Sequence, residues 1–346
     1  MTLQIFITAL GFTAAFGWIA LRTFPQLGLV DRPHKYGFKR KAIPYPGGVA
    51  MILAFFVTVM MFFPVDRPVL AVLLGGGLLG IVSFVDDRQG LPAWFRLVVQ
   101  VVSAVLLVLG GIGIASITNP LGGTIVLDSI QFPVSLGTLT FTITLFADLL
   151  TVVWVLTMVN AFNWIDGVPG MANSVGAVAA LVLLSLALRP DFHSMDQTLA
   201  ISLSALVLGM TLGHLIFDFP PPRMIVGDTG SMLVGFLLAV AAIISGGKIA
   251  TTILVLGFPI LDFVWVILRR IMKGKSPLKG DLWHFHHRLQ KAGFSDRKIV
   301  LFFATTAMVF GCLSLLLHTE GKFLAFFAIL AVMALLALML YSKRNL

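Results

Sequence analysis

The stretch Asp281 to Leu289 reads DLWHFHHRL and sets His284, His286 and His287 within four positions, followed at once by Arg288. A zinc site asks for three or four ligands in tetrahedral array. This spacing matches neither a helical i, i+4 pair nor a finger, and neither Cys nor Glu stands nearby. Nine Lys and Arg fall between residues 269 and 298, a setting that repels a cation. An anion such as phosphate or diphosphate gains from it, because imidazole N–H and guanidinium groups are its donors. Plain loop polarity and an intramembrane zinc hydrolase are the rival readings.

The acids complement this. The chain has a single Glu and fourteen Asp, four of them in polar motifs. Asp86 and Asp87 are adjacent in FVDDRQGLP. Their mutual repulsion is relieved by a divalent cation, although a hydrophilic helix end reads the same way. In NAFNWIDG, Asn160, Asn163 and Asp166 stand three apart, on one face of a helical turn, where the amides could also be simple caps. GDTGS at 227–231 opens an apolar run. There Asp228 suits an N-cap, the two glycines admit a ligand to the backbone, and free N–H groups favour an anion. Carboxylates that seat Mg²⁺, beside bases that seat phosphate, suggest phosphoryl transfer. Metal and basic side chains remove the repulsion between two anionic reactants.

Some part of the fold must hold these groups. Of 346 residues, 58% are hydrophobic and 11% charged. Soluble domains carry about 25% charge, so the chain reads as an all-α polytopic membrane protein. Eleven apolar runs stand out: 4–21, 47–64, 68–85, 92–115, 140–160, 168–188, 198–217, 230–246, 249–268, 299–317 and 323–342. Arg22 follows the first run and nothing basic precedes it, so it reads as a retained span whose start lies outside. Segments 22–46, 86–96, 161–167, 218–229, 269–298 and the C-terminal tail then face the cytoplasm with 20 of the 24 Lys and Arg. All four of those aspartates fall on that same side. The only cysteine, Cys312, excludes an internal disulfide. Segment 116–139 alternates Gly-rich turns with short β-favouring runs and predicts a small β-hairpin on the outer face.

VDDR, NAFNWIDG, GDTGS and HFHHRLQKAGFS, in this order, resemble the polyprenyl-phosphate N-acetylhexosamine-1-phosphate transferase family, and LVDRPHKYGFKRKAIPYPGG at 29–48 is similar to that family's first cytoplasmic loop. The likeness runs from about residue 29 to 296. His-x-His-His followed by Arg-Leu is nearer the undecaprenyl-phosphate N-acetylglucosaminyl-1-phosphate transferase branch than the phospho-N-acetylmuramoyl-pentapeptide branch, which tends to run three histidines together. The resemblance implies one transmembrane catalytic domain, 1–346, with its active site in the cytoplasmic loops, in the bacterial inner membrane. Undecaprenyl phosphate attacks a UDP-N-acetylhexosamine, UDP-GlcNAc above all, and UMP leaves. Mg²⁺ is required, Mn²⁺ is a substitute, and a cell-envelope glycan such as O-antigen or teichoic acid is begun. A homodimer is a common assembly in the family, and no nucleic-acid partner is expected.

Matched position by position, the resemblance makes Asp228 a principal metal ligand, with Asp86 and Asp87 assisting the metal and handling the lipid phosphate. Asn160, Asn163 and Asp166 lie near the nucleotide and diphosphate. His284, His286, His287 and Arg288 hold the sugar-phosphate end, and His286 is also counted as catalytic. Lys39 and Lys41 bind carrier phosphate. Two departures stand out. The family's second Asp in Asp-Gly-x-Asp-Gly is replaced here, where the chain reads Asp166-Gly167-Val168-Pro169-Gly170, and Gly90 stands where an acid or amide is frequent. Asp148 reads as structural, His214 and Asp218 as a local pair, and Asp262 as part of the pattern ahead of the histidines. The rival of another class, a transporter, wants polar groups at mid-membrane or inverted repeats.

Overall fold

Long Leu-, Val-, Ile- and Phe-rich runs have one stable option in a lipid core, a helix that satisfies its own backbone. The computed structural model describes residues 1–33, 41–119, 122–136, 139–189, 196–246, 248–276 and 283–342, and is mostly helical. In chain order the helices are α1 (Thr2–Thr23), α2 (Gly48–Phe62), α3 (Arg67–Gln89), α4 (Ala93–Leu109), α5 (Leu145–Ile165), α6 (Met171–Ala187) and α7 (Thr198–Asp218). There follow α8 (Gly227–Ile244), α9 (Ile249–Val255), α10 (Gly257–Met272), α11 (Phe285–Lys291), α12 (Asp296–Leu316) and α13 (Thr319–Ser342). Seven of them are long and apolar enough to cross a membrane, or eight if α9 and α10 count as one broken span. The protein is a multi-pass membrane protein.

Three of the predicted runs fold as shorter apolar helices, α2, α4 and α6, of 15, 17 and 17 residues. The ninth run is broken: α9 and α10 meet at 87°. Gly257 and Pro259 lie at the join, where a missing donor and a flexible residue interrupt a helix most readily. The single expected hairpin is instead two antiparallel ribbons, β1 (Ser116–Thr118) with β2 (Thr124–Val126), and β3 (Gln131–Leu136) with β4 (Leu139–Thr144). The fifth apolar run therefore begins as strand. LTFTIT alternates β-branched Thr with apolar residues, a period of two that favours β4 before α5 takes over.

At the centre is α8, almost wholly buried, with α3, α5, α6 and α7 around it. Small residues let it approach its neighbours closely. A methyl on Gly235 would meet the Met158 carbonyl oxygen at 2.6 Å. At Gly48 the α2 backbone lies directly against the backbone of Thr229 and Gly230. The chain before α2 is sewn to the chain before α8 by Gly47 N–H to the Ile225 carbonyl at 2.7 Å and Gly48 N–H to the Val226 carbonyl at 2.8 Å. Two loops far apart in sequence are thereby locked together at one end of the bundle, where the polar motifs also lie.

Candidate functional site

Helix α3 ends in Asp86 and Asp87, and the two carboxylates do different work. Asp87 reaches across to the start of α8 and accepts the backbone N–H groups of Asp228 and Thr229, both at 3.0 Å. It also accepts the hydroxyls of Thr229 and Tyr45. Asp228 lies in the first turn of α8, and the N-cap position is Val226 without a side-chain cap bond. The expected cap by Asp228 is thus supplied by Asp87, because a carboxylate from another helix satisfies two of the free N–H groups that open α8. Those donors are not available to a ligand, and Asp87 keeps little lone-pair capacity for a metal. Burial, followed by the nearby Asp87 and Asp228 charges, pushes the Tyr45 phenol upward in pKa, so it stays a donor.

Asp86 accepts the Leu91 amide, which pins the turn into α4, and the Arg96 guanidinium at 2.9 Å. The same Arg96 nitrogen, Nη1, is 3.2 Å from Asp228 Oδ2. Two carboxylates that start 142 positions apart in the chain thus share one cation. Oxygen donors in this pairing suit Mg²⁺, which takes one or two carboxylates and completes its shell with water and phosphate. Among the described residues no group of three His, Cys, Asp or Glu side chains is arranged as a metal cage. The Asp86–Asp228 pair therefore fits Mg²⁺ as a partial seat rather than an all-protein one.

Asp166 follows the last turn of α5, and its Oδ1 is sealed from solvent without a partner. Burial first, then the charges of Asp218, Asp228 and Asp87, pushes its pKa well above the ordinary value. Just beyond, Gly167 touches the histidine loop: a methyl there would stand 2.5 Å from His286 Nε2 and 3.2 Å from His287 Cε1. Val168 is fully buried. At Gly170 (φ +79°) the chain passes against the Asp218 carbonyl and Pro220, a conformation that glycine adopts without strain.

The histidines sit on the short α11. His286 is 1% exposed, and neither ring nitrogen has a hydrogen-bond partner. Burial, then repulsion from His287 and His284, holds it far below the usual imidazole value, so it is neutral with one N–H to donate. His284 stacks on it at 5.6 Å and is fixed by Asp262, whose Oδ2 lies 2.8 Å from Nδ1. Asp262 also accepts the Phe285 amide at 3.0 Å. His287 is held by Gln290 at 3.1 Å and is shifted downward, chiefly by burial.

Other expected contacts are engaged elsewhere. Arg288 donates to the Ala337 carbonyl of α13 at 2.8 Å. Asn160 donates to Gln100 at 2.6 Å and to the Leu156 carbonyl at 2.8 Å. Asn163 lines a groove. Lys41 is exposed, and Lys39 lies outside the described residues. Asp148 accepts the Thr144 amide at 2.7 Å, a structural role as expected. His214 and Asp218 are 4.0 Å apart, with Asn173 donating to Asp218 at 2.8 Å and lying 3.1 Å from His214.

The groove runs between α4, α5 and α10, has a volume of about 230 Å³, and is mostly apolar. Arg96, Gln100, Asn160 and Asn163 mark its polar part, Leu97 and Leu156 its apolar part. Arg96, Gln100, Tyr45 and Trp164 were not singled out in the sequence. Trp164 packs on Phe263 at 4.7 Å and on His284 at 4.9 Å, with the Arg270 guanidinium 4.8 Å from its ring. Arg96 had a signal, as a basic residue one helical turn into an apolar run that follows two acids. Tyr45 and Trp164 stand inside motifs that carry the resemblance, whereas Gln100 had no signal.

Residues 69–246 match the family model for glycosyl transferase family 4. The chain is 28% identical to decaprenyl-phosphate N-acetylglucosaminephosphotransferase of Mycolicibacterium smegmatis, over 91% of this chain and 84% of the relative. It is 31% identical to the Mycobacterium leprae protein of the same name, over 80% and 73%. It is 26% identical to undecaprenyl-phosphate alpha-N-acetylglucosaminyl 1-phosphate transferase of Escherichia coli O157:H7, over 88% and 81%. Together with the acids, the cation between them and the neighbouring imidazoles, these likenesses show that the chain belongs to glycosyl transferase family 4 and is a glycosyl-1-phosphate transferase.

Proposed function

We propose that the protein transfers N-acetylglucosamine-1-phosphate from UDP-N-acetylglucosamine to undecaprenyl phosphate at the cytoplasmic face of the bacterial inner membrane. The reading is supported by the activities for which the relatives are named and by the positive-inside distribution of Lys and Arg. The observation that carries it is the meeting of Asp86 and Asp228 on one cation at the head of an apolar groove. The groove takes the start of a prenyl tail, and its polar end takes the phosphate. A lipid-phosphate oxygen attacks the β-phosphorus of the donor. The new P–O bond forms as the bond to UMP breaks, and the lipid leaves as a diphosphate-linked sugar that begins an envelope glycan.

Asp86 and Asp228 would hold Mg²⁺, which would supply positive charge to the diphosphate. Asp87 fixes the α8 turn that presents Asp228. Neutral His286, with His284 and His287 beside it, donates hydrogen bonds to phosphate oxygens of the donor. Asp166 lies next to both groups and faces the nucleotide side. Pro169 stands where the family has its second aspartate in that loop, so donor choice rests on shape there more than on a second carboxylate.

Purified protein given UDP-GlcNAc, undecaprenyl phosphate and Mg²⁺ is expected to release UMP. A panel with UDP-GalNAc and UDP-MurNAc-pentapeptide ranks the donors, and UDP-GlcNAc should lead. Asp228→Asn or EDTA is expected to lower kcat on the order of 100-fold or more. Absence of UMP with every donor would end this reading, and turnover indifferent to EDTA would remove the metal from it.

A further inference from the structure

We propose that Arg96 is the resident counter-ion of the metal seat: it neutralises Asp86 and Asp228 when no divalent cation is there, and it is released toward the acceptor phosphate when one is. This rests on the reading of the site given above. Arg96 Nη1 lies 2.9 Å from Asp86 and 3.2 Å from Asp228, the place that a cation bridging both carboxylates would take. Both cannot stand there at once. The arginine is also only partly used. Its planar fork suits two-point recognition of carboxylate or phosphate. Here one nitrogen serves both acids while Nε is buried with no hydrogen-bond partner. Such a group has donors in reserve for another anion.

The surroundings allow the exchange. Asp86 Oδ1 accepts the Leu91 amide, and Gln100 and Asn160 are bonded to each other, so the start of α4 and the groove wall are fixed. Only the Arg96 side chain, about a third exposed, has to turn. It already lines the groove with Gln100 and Asn163, so the released guanidinium faces the position of an incoming phosphate monoester. Cation and acceptor then favour each other's binding, since one vacates the donor that the other uses, and linkage makes the effect reciprocal.

Mn²⁺ serves as the probe, titrated by electron paramagnetic resonance into the full-length protein without either substrate. Arg96→Gln is expected to bind Mn²⁺ at least about fivefold more tightly than wild type. Arg96→Lys, which keeps the charge, should bind near the wild-type value. Arg88→Gln removes an exposed charge from the same end of α3 and should leave the affinity unchanged. In EDTA, Arg96→Gln should melt below wild type, and saturating Mn²⁺ should close the gap. The apparent KM for undecaprenyl phosphate should rise about tenfold or more in Arg96→Gln, while that for the UDP-sugar stays put. Equal or weaker Mn²⁺ binding in Arg96→Gln overturns the proposal, as does equal tightening in Arg88→Gln. Failure of both wild type and variant to bind Mn²⁺ overturns the metal reading itself, and the proposal with it.

Discussion

Asp166 shows what a single side chain gives up for its place in this site. A carboxylate with one oxygen sealed and unpaired, near Asp218, Asp228 and Asp87, resists ionising. Its folded pKa lies above the ordinary value of 3.8. The stability it contributes is therefore complete below about 3.8 and is lost as pH rises toward the folded value. Asp166→Asn, free of that cost, is expected to melt higher than wild type at neutral pH in EDTA. The difference should shrink toward zero as pH falls to about 4. Thermal melts between those pH values check the sign, and a variant that melts lower throughout would contradict it. The same variant should lose activity, the usual exchange where function keeps a strained group. Such costs are partly legible in a sequence: four aspartates in polar motifs pointed to this place. The division of labour was not legible. Asp86 and Asp87 are adjacent, yet one faces a guanidinium and the other caps a distant helix. Which does which depends on the rotation of α3, which a flat pattern of apolar residues leaves open.

At the scale of elements, backbone contact fixes the site. The start of α2 lies against the start of α8 at Gly48 and Gly230, with no side chain between them. A methyl group on Gly48 would meet backbone atoms, which cannot turn aside as a flexible side chain can. Gly48→Ala is expected to cost about 2 kcal/mol or more in stability and to shift the turn bearing Asp228. A lowered melting temperature with kcat lost out of proportion checks this, and full activity would show that the loops tolerate separation. The apolar runs announced most helices, because a lipid-length stretch of apolar residues has few alternatives. They did not announce the break between α9 and α10 or the second ribbon. Gly257 and Pro259 interrupt a run without altering its hydropathy, and LTFTIT is apolar enough to pass as helix. That break matters to the site, since it is α10 that delivers Asp262 to His284 and forms one wall of the groove.

For the whole molecule, the acidic cluster and the apolar groove share one flank. The groove joins the Asp86–Arg96–Asp228 cluster to apolar side chains of α4, α5 and α10. Leu156→Trp is expected to fill its apolar part. The apparent KM for undecaprenyl phosphate should rise by about tenfold, the scale of a lost buried side-chain contact. A short-chain prenyl phosphate should be less affected. Equal loss with both acceptors would place the tail elsewhere. Charge counting alone predicts that the motifs share one side of the membrane, and the bonds from Asp87 to the start of α8 and the contact of Gly167 with His286 bring them to one end of the bundle. The partner of each motif was not legible in the sequence, because such contacts span more than a hundred residues.

The 87° turn between α9 and α10 carries one more consequence. Val153, which lines the groove whose other wall is α10, is 49% exposed, so the groove's apolar side opens outward. An acceptor can slide in sideways with its hydrocarbon still dissolved among acyl chains, only its head visiting water. Encounter is then a two-dimensional search, and the quantity that sets the rate is acceptor per unit of bilayer area, not per litre of cell.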